Sequence, residues 1–206
     1  MYLSDRDLEW AIACGRLIID PRPCKIDATS IDLHLDEADK ARIWDISKFE
    51  SENNDSGNEG KELRTSKINY KNFSKKYQIA VPTDPTQSVF RRHNEVIIKP
   101  GGFLLWQTQE IVGTPEENAD LIRFIDGKST RARTGLIVHL TAPTIHAGWS
   151  GKITLEIANL GPLHLKMREL EDVVAQLTVS TISSPPVERM KTHVTYGQTD
   201  VGALSD

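Results

Sequence analysis

The pattern of apolar and polar positions divides the chain into two textures. Near the N-terminus Ser4 stands where a helix N-cap belongs, Asp7 falls at the third helical position, and Leu3 and Leu8 are spaced as a hydrophobic staple. Gly15 closes the pattern, which predicts a short first helix. After "DPRP" (20–23), the stretch "ATSIDLHL" (28–35) alternates Ile31, Leu33 and Leu35 with polar neighbours, as a half-buried strand does. From Ser47 to about Lys76 the chain turns polar through "ESENNDSGNEGKE", with little to bury. This stretch (47–76) reads as a long surface insertion, and no second helix is expected. Beyond residue 78, "YQIAV", "EVIIKPGGFLLWQT", "ADLIRFID", "GLIVHLTA", "GKITLEIAN" and "VVAQLTVSTI" follow one another between Pro, Gly and Asn. Short strands at this spacing predict a mainly β, antiparallel sandwich, jelly roll or barrel, 1–206 forming a single domain that ends in a flexible tail at about 185–206. No internal repeat is visible.

Composition narrows the function. With 38% hydrophobic and 26% charged residues the chain has the makings of a soluble globular protein. Its net charge of −4 gives no general affinity for nucleic acid, so an anion site must be a local concentration of cations. Cys14 and Cys24 form neither a disulfide framework nor a thiolate metal site and are expected as reduced thiols. The N-terminus carries charges where a signal peptide needs its apolar run, and no stretch approaches the roughly 20 apolar residues of a spanning helix. These features predict a cytoplasmic protein that binds neither membrane nor nucleic acid.

The local concentration of cations is "DGKSTRARTG" (126–135), where Lys128, Arg131 and Arg133 surround Ser129 and Thr130. A phosphate site and a solvated turn both fit it. A P-loop does not, because the glycine required five positions before Gly127 is replaced by Ile122. "HNE" (93–95) matches half of the zinc deaminase signature, and no cysteine pair completes it. His139, His146 and His164 show no metal-ligand spacing. Downstream, "GKITLEI" places Ile153, Leu155 and Ile157 on one strand face and Lys152, Thr154 and Glu156 on the other. Glu156 is unremarkable alone. Its company is not: a glycine-bounded cationic turn, a strand and a tight "HAGWSG" turn lie just upstream.

Taken together, "LSDRDLEWAIACGRLIIDPRP", "ATSIDLHL", "KPGGFLLWQT" and "GKSTRAR…LTAPTIHAGWSG…TLE" closely resemble the deoxycytidine triphosphate deaminases along nearly the whole chain. The specific part is G-[RK]-S-[ST]-x-A-R combined with G-[WF]-x-G and a T-L-E strand. The resemblance implies a distorted β jelly roll of the dUTPase-like type, a homotrimer with shared active sites, and deamination of dCTP to dUTP in pyrimidine nucleotide metabolism, with dTTP admitted as an inhibitor. It makes Glu156 the catalytic general base and acid, with Ser129 and Arg133 holding the water and the carboxylate. Lys128, Thr130, Arg131, Ala132 and the turn backbone resemble the triphosphate cradle. Thr154 and Leu155 resemble the edge meeting base and sugar, and His139, Thr141 and Ala142 the lining of the cytosine pocket.

Deamination passes through a tetrahedral carbon and needs a proton shuttle, worth about 10²- to 10⁴-fold, with fixed donors around the attacking oxygen. With no zinc motif present, the resemblance gives that work to a carboxylate oriented by an arginine. Mg²⁺ would enter with the triphosphate rather than through protein ligands. Departures from the family are specific. Aspartate is usual where His146 stands, and there it contacts the sugar. "KMRELEDVVAQ" lacks a common glycine, although Gln176 occupies a phosphate-contacting position. The tail "HVTYGQTDVG" keeps Gly-Gln with Gln198, but Tyr196 is displaced by about one residue. Trp149 suits packing and nucleotide contact equally, and Arg131 suits solvent. Two alternatives stay open: a dUTP pyrophosphatase or bifunctional enzyme making dUMP, and a non-catalytic nucleotide-binding jelly roll.

Overall fold

A computed structural model describes residues 1–53, 62–117 and 119–187. Its elements run α1 (Asp5–Ala13), β1 (Ile18–Asp20), β2 (Ile26–Asp27), β3 (Ser30–His34), β4 (Arg42–Trp44), α2 (Ile46–Asn53), α3 (Tyr70–Tyr77), β5 (Gln78–Ala80), β6 (Val89–Arg92), β7 (Glu95–Ile98), β8 (Phe103–Gly113), β9 (Leu121–Gly127), α4 (Ser129–Ala132), β10 (Leu136–Ile137), β11 (Thr144–Ile145), β12 (Ser150–Asn159), β13 (Leu165–Arg168) and β14 (Val173–Thr181). At α1 the Asp7 carboxylate accepts from the Ser4 hydroxyl at 3.0 Å and from its backbone N–H at 3.4 Å. Leu8 and Ala11 face the core, and Gly15, at φ +74°, turns the chain away from the helix.

The described strands pair antiparallel throughout. One sheet runs β10-β12-β8-β4-β5 with β1 added on β8; a second runs β11-β9-β14-β3-β2; a third is β13-β7-β6. Leu104, Trp106, Leu155 and Ile157 from the first meet Ile31, Leu33, Leu121, Leu177 and Val179 from the second in one buried core. In β12 Ile153, Leu155 and Ile157 are buried while Lys152, Thr154 and Glu156 are partly exposed, as the alternation predicts. Among the described residues no helix is long and apolar enough to cross a membrane.

The stretch 47–76 overturns one expectation. It contributes most of α2 and α3, so helices beyond the first do form, and it has something to bury. Trp44, Phe49, Phe73 and Tyr77 form an aromatic cluster, with ring centroids 5.0 Å apart for Trp44–Phe73 and Phe73–Tyr77 and 5.2 Å for Phe49–Tyr77. Asn69 caps α3 by accepting from the Asn72 N–H at 3.0 Å. Glu52 on α2 accepts from the Tyr77 hydroxyl at 2.8 Å and pairs with Lys76 at 2.6 Å, tying the two helices together. Each helix is eight residues long, too short for a clear period beside the polar run, so rings brought together in space are scattered in sequence.

This cluster predicts that Phe73→Ala lowers stability by about 2–4 kcal/mol, short of the largest core losses because the ring is only half-buried. Urea unfolding should show a lower midpoint at unchanged slope.

Candidate active site

The cationic turn follows directly from β9. Lys128 stays extended, and one helical turn then closes as the Arg131 and Ala132 N–H groups both donate to the Lys128 carbonyl at 2.9 Å. Gly135, at φ +92°, and Gly161 pack backbone to backbone: a Cβ on Gly135 would lie 2.1 Å from Gly161 N, and one on Gly161 2.0 Å from the Thr134 carbonyl oxygen. That contact pins the turn against the end of β12. Ser129, Thr130, Arg131, Ala132 and Arg133 are all exposed.

Two of the three cations already hold carboxylates. Lys128 Nζ lies 2.5 Å from Asp32 and 3.9 Å from Asp27, and Arg131 pairs with Asp172 at 2.9 Å. Arg131 is thus an ion-paired residue rather than a purely solvent-facing one. Arg133 makes no ion pair among the described residues. Gln176 of β14 is flanked by Asp32 on β3 and Asp126 on β9 in one cross-strand row, and His139 Nε2 is 3.9 Å from Asp126. The fold therefore gathers Lys128, Gln176 and His139 around three carboxylates, Asp27, Asp32 and Asp126, which the sequence reading passed over. Asp32 and Asp126 each sit at the polar position of an alternating strand, but the pairing that unites them spans most of the chain.

Glu156 sits near the middle of β12, opposite Leu105, with its carboxylate accepting from the Leu140 N–H at 3.4 Å. Thr141 and Ala142, exposed, continue that loop. Leu155 is 1% exposed and opposite Trp106, so its side chain belongs to the core and only its backbone is left for a ligand. Among the described residues no ion pair or hydrogen bond links Glu156 to Ser129 or Arg133, and its carboxylate is met instead by the Leu140 N–H.

The turn carrying His146 and Trp149 rests on a buried cation. Arg123 is 0% exposed, and its Nη2 donates to the His146 carbonyl at 2.5 Å and the Trp149 carbonyl at 3.1 Å. Its Nε and Nη1 have no partner among the described residues, and burial pushes its pKa down to about 10. Thr114 accepts from the Gly148 N–H at 2.8 Å on the other side of the turn. His146 is exposed, and Trp149 folds over Gly151, where a Cβ would lie 2.9 Å from the indole. In sequence Arg123 stands between Leu121 and Ile125 at the inward positions of "LIRFI", and a cation at such a position is a signal that alternation alone offers. Tyr196 and Gln198 lie outside the described residues.

A family model described as dCTP deaminase-like matches residues 2–182. The chain belongs to this family. A dCTP deaminase of Psychromonas ingrahamii is 31% identical over 191 residues, covering 90% of this chain and 86% of that protein. One of Rhodospirillum rubrum is 35% identical over 172 residues, covering 82% and 76%. The solved 2'-deoxycytidine 5'-triphosphate deaminase of Agrobacterium tumefaciens shares the fold at a TM-score of 0.53 and 14% identity, over 86% of this chain and 47% of that one. The present chain thus spans about half the length of that solved relative.

Within this family member, Arg123 should act on the turn more than on the whole fold. Replacing a buried, half-satisfied cation with an apolar side chain of similar length is close to neutral for stability, whereas the turn loses two donors. Arg123→Met should shift global unfolding by about 1 kcal/mol or less. Hydrogen exchange at the Gly148 and Trp149 amides should accelerate roughly tenfold, reporting local opening.

Proposed function

We propose that the chain hydrolyses dCTP to dUTP and ammonia, supplying pyrimidine deoxynucleotide metabolism. The observation that carries this reading is the placement of Glu156: a carboxylate on a rigid strand, turned away from the core and met by a backbone N–H of the loop after β10, in a chain of this family. Water at Glu156 gives a proton to the carboxylate as its oxygen bonds to C4 of cytosine, and Glu156 passes that proton to N3. The second water proton then moves through Glu156 to the amine, the C4–N4 bond breaks, and ammonia leaves. Both transfers run through one carboxylate, so the route does not call on zinc.

His139, Thr141, Ala142 and the backbone of Thr154–Leu155 border the base in this reading, while Lys128, Thr130 and Gln176 face the triphosphate. Mg²⁺ arrives with the nucleotide. In this reading phosphate oxygens and water supply most of its ligands. The exposed thiols of Cys14 and Cys24 suit a reducing compartment, and we place the enzyme in the cytoplasm.

Strand register supports shared sites. Leu136 and Ile137 pair with Asn159 and Ala158, so His139 comes level with Glu156 while Arg133 falls beyond the other end of that ladder. Gly135, which ends the turn bearing Arg133, is level with Leu160 and so lies about 13 Å from Glu156 along the strand at roughly 3.3 Å per residue. Arg133 and Ser129 meet Glu156 only if a neighbouring copy brings them, as in a closed homotrimer. Light scattering should give three times the 23.1 kDa chain mass, and an active monomer would sink the shared-site reading.

The exposed His146 bears on the product. Neutral histidine accepts through one nitrogen and carries no negative charge, and protonated histidine only donates, so it is a poor substitute for a carboxylate orienting water at a phosphate. dCTP with Mg²⁺ should yield dUTP and ammonia in equal amounts, with little dUMP or pyrophosphate on chromatography. Glu156→Gln should lower turnover about 10³-fold or more with nucleotide still bound. Mainly dUMP would indicate the bifunctional alternative; unchanged dCTP would indicate a binding protein.

A further inference from the structure

The sheet face that carries Glu156 also carries the contacts of α3. Cross-strand partners share a face, so Glu156, Leu105 and Arg42 form one row across β12, β8 and β4. Trp44 and Gln78, partners in β4 and β5, form the next row on that same face, two residues along. Tyr70, the first residue of α3, stands on this face. Its ring meets Trp44 edge-on at 6.3 Å, and its phenol oxygen accepts from Gln78 Nε2 at 3.3 Å. With Gln78 donating to that oxygen, the phenol's own O–H is left to donate, and none of its hydrogen bonds among the described residues uses it. Of the cations on this face, Arg42 turns its guanidinium back to the Asp39 and Ala41 carbonyls and Lys152 pairs with Asp36, and no ion pair joins either to Glu156 among the described residues.

Burial raises the Tyr70 phenol above its usual range, and the negative charge of Glu156 raises it further. The phenol therefore stays protonated at neutral pH and lies within electrostatic reach of the carboxylate. Glu156 has one oxygen engaged by the Leu140 N–H and one left over.

We infer that Tyr70 is a positioning residue for Glu156: in the nucleotide-bound site its O–H donates to the carboxylate oxygen that Leu140 leaves free, fixing the carboxylate against the attacking water. The role rests on the deaminase reading above. It gives the helical pair α2–α3 a function, as the carrier of a proton-donating wall over the reacting carboxylate. Hydrogen bonds of this kind are commonly long in a free enzyme and tighten around substrate.

The test compares Tyr70→Phe and Gln78→Leu with wild type for ammonia release from dCTP, together with thermal unfolding. Tyr70→Phe keeps the ring and its packing, so the unfolding midpoint should hold while kcat falls about 10- to 100-fold and KM stays within about twofold. Gln78→Leu removes the bond that orients the phenol and should lower kcat several-fold in the same manner. Wild-type kcat in Tyr70→Phe, or a loss confined to KM, would overturn the inference while leaving the deaminase reading intact. A wild-type protein that releases no ammonia from dCTP would overturn both.

Discussion

The pairing of β12 with β8 decides where Glu156 stands. Leu155 opposite Trp106 and Ile157 opposite Leu104 fill the core, and the same register forces Glu156, opposite Leu105, to the other face. Because successive side chains alternate, a slip of one residue would move three apolar side chains into water and a carboxylate into the core. Burial of each apolar side chain contributes roughly 2 kcal/mol, and an unpaired buried carboxylate costs several more, so both terms oppose the slip. The one irregularity, a register shift between Lys152 and Thr154, is absorbed before the strand reaches Glu156. The strength of the core thus fixes where the Glu156 backbone stands, and its neighbours on the outer face orient the carboxylate.

Charge is arranged more loosely around the turn after β9. Lys128 and Arg131 are each paired with an aspartate, yet Arg131 and its partner are partly exposed, and pairs of that kind contribute about 1 kcal/mol or less. In the proposed reading a triphosphate, carrying several charges where Asp32 or Asp172 carries one, displaces these carboxylates at little cost. The carboxylates tie the turn to β3 and to the loop before β14 and moderate its local charge. Arg123 is the opposite case. It is sealed inside, cannot exchange partners, and is used as a strut beneath the turn that carries His146 and Trp149.

Much of this was legible in the sequence because the alternation in β12 and the capping pattern of α1 are local signals. Family membership was legible too, since its motifs lie in short contiguous stretches. What stayed hidden depends on pairing between distant segments. The row Asp32–Gln176–Asp126 exists only because β3, β14 and β9 are neighbours. Phe49, Phe73 and Tyr77 look like isolated apolar residues until α2 and α3 fold together over β4 and β5. Leu155 divides between the two signals: its motif suggested a ligand edge, and its place in the alternation commits its side chain to the core and leaves only its backbone for such an edge.

These features together describe a carboxylate approached from two directions. On one side lies a wall made within the chain, where α3 brings Tyr70 to the face that Glu156 occupies. On the other side the chain offers no Ser129 or Arg133 to its own Glu156, because the turn that bears them is held at the far end of the β10–β12 ladder by the Gly135–Gly161 contact. In the proposed reading, a site built this way keeps its base oriented in a single chain and is completed by a neighbouring copy. Activity would then depend on subunit association as well as on folding, so dilution below the association range should abolish turnover before it disturbs the β12–β8 core.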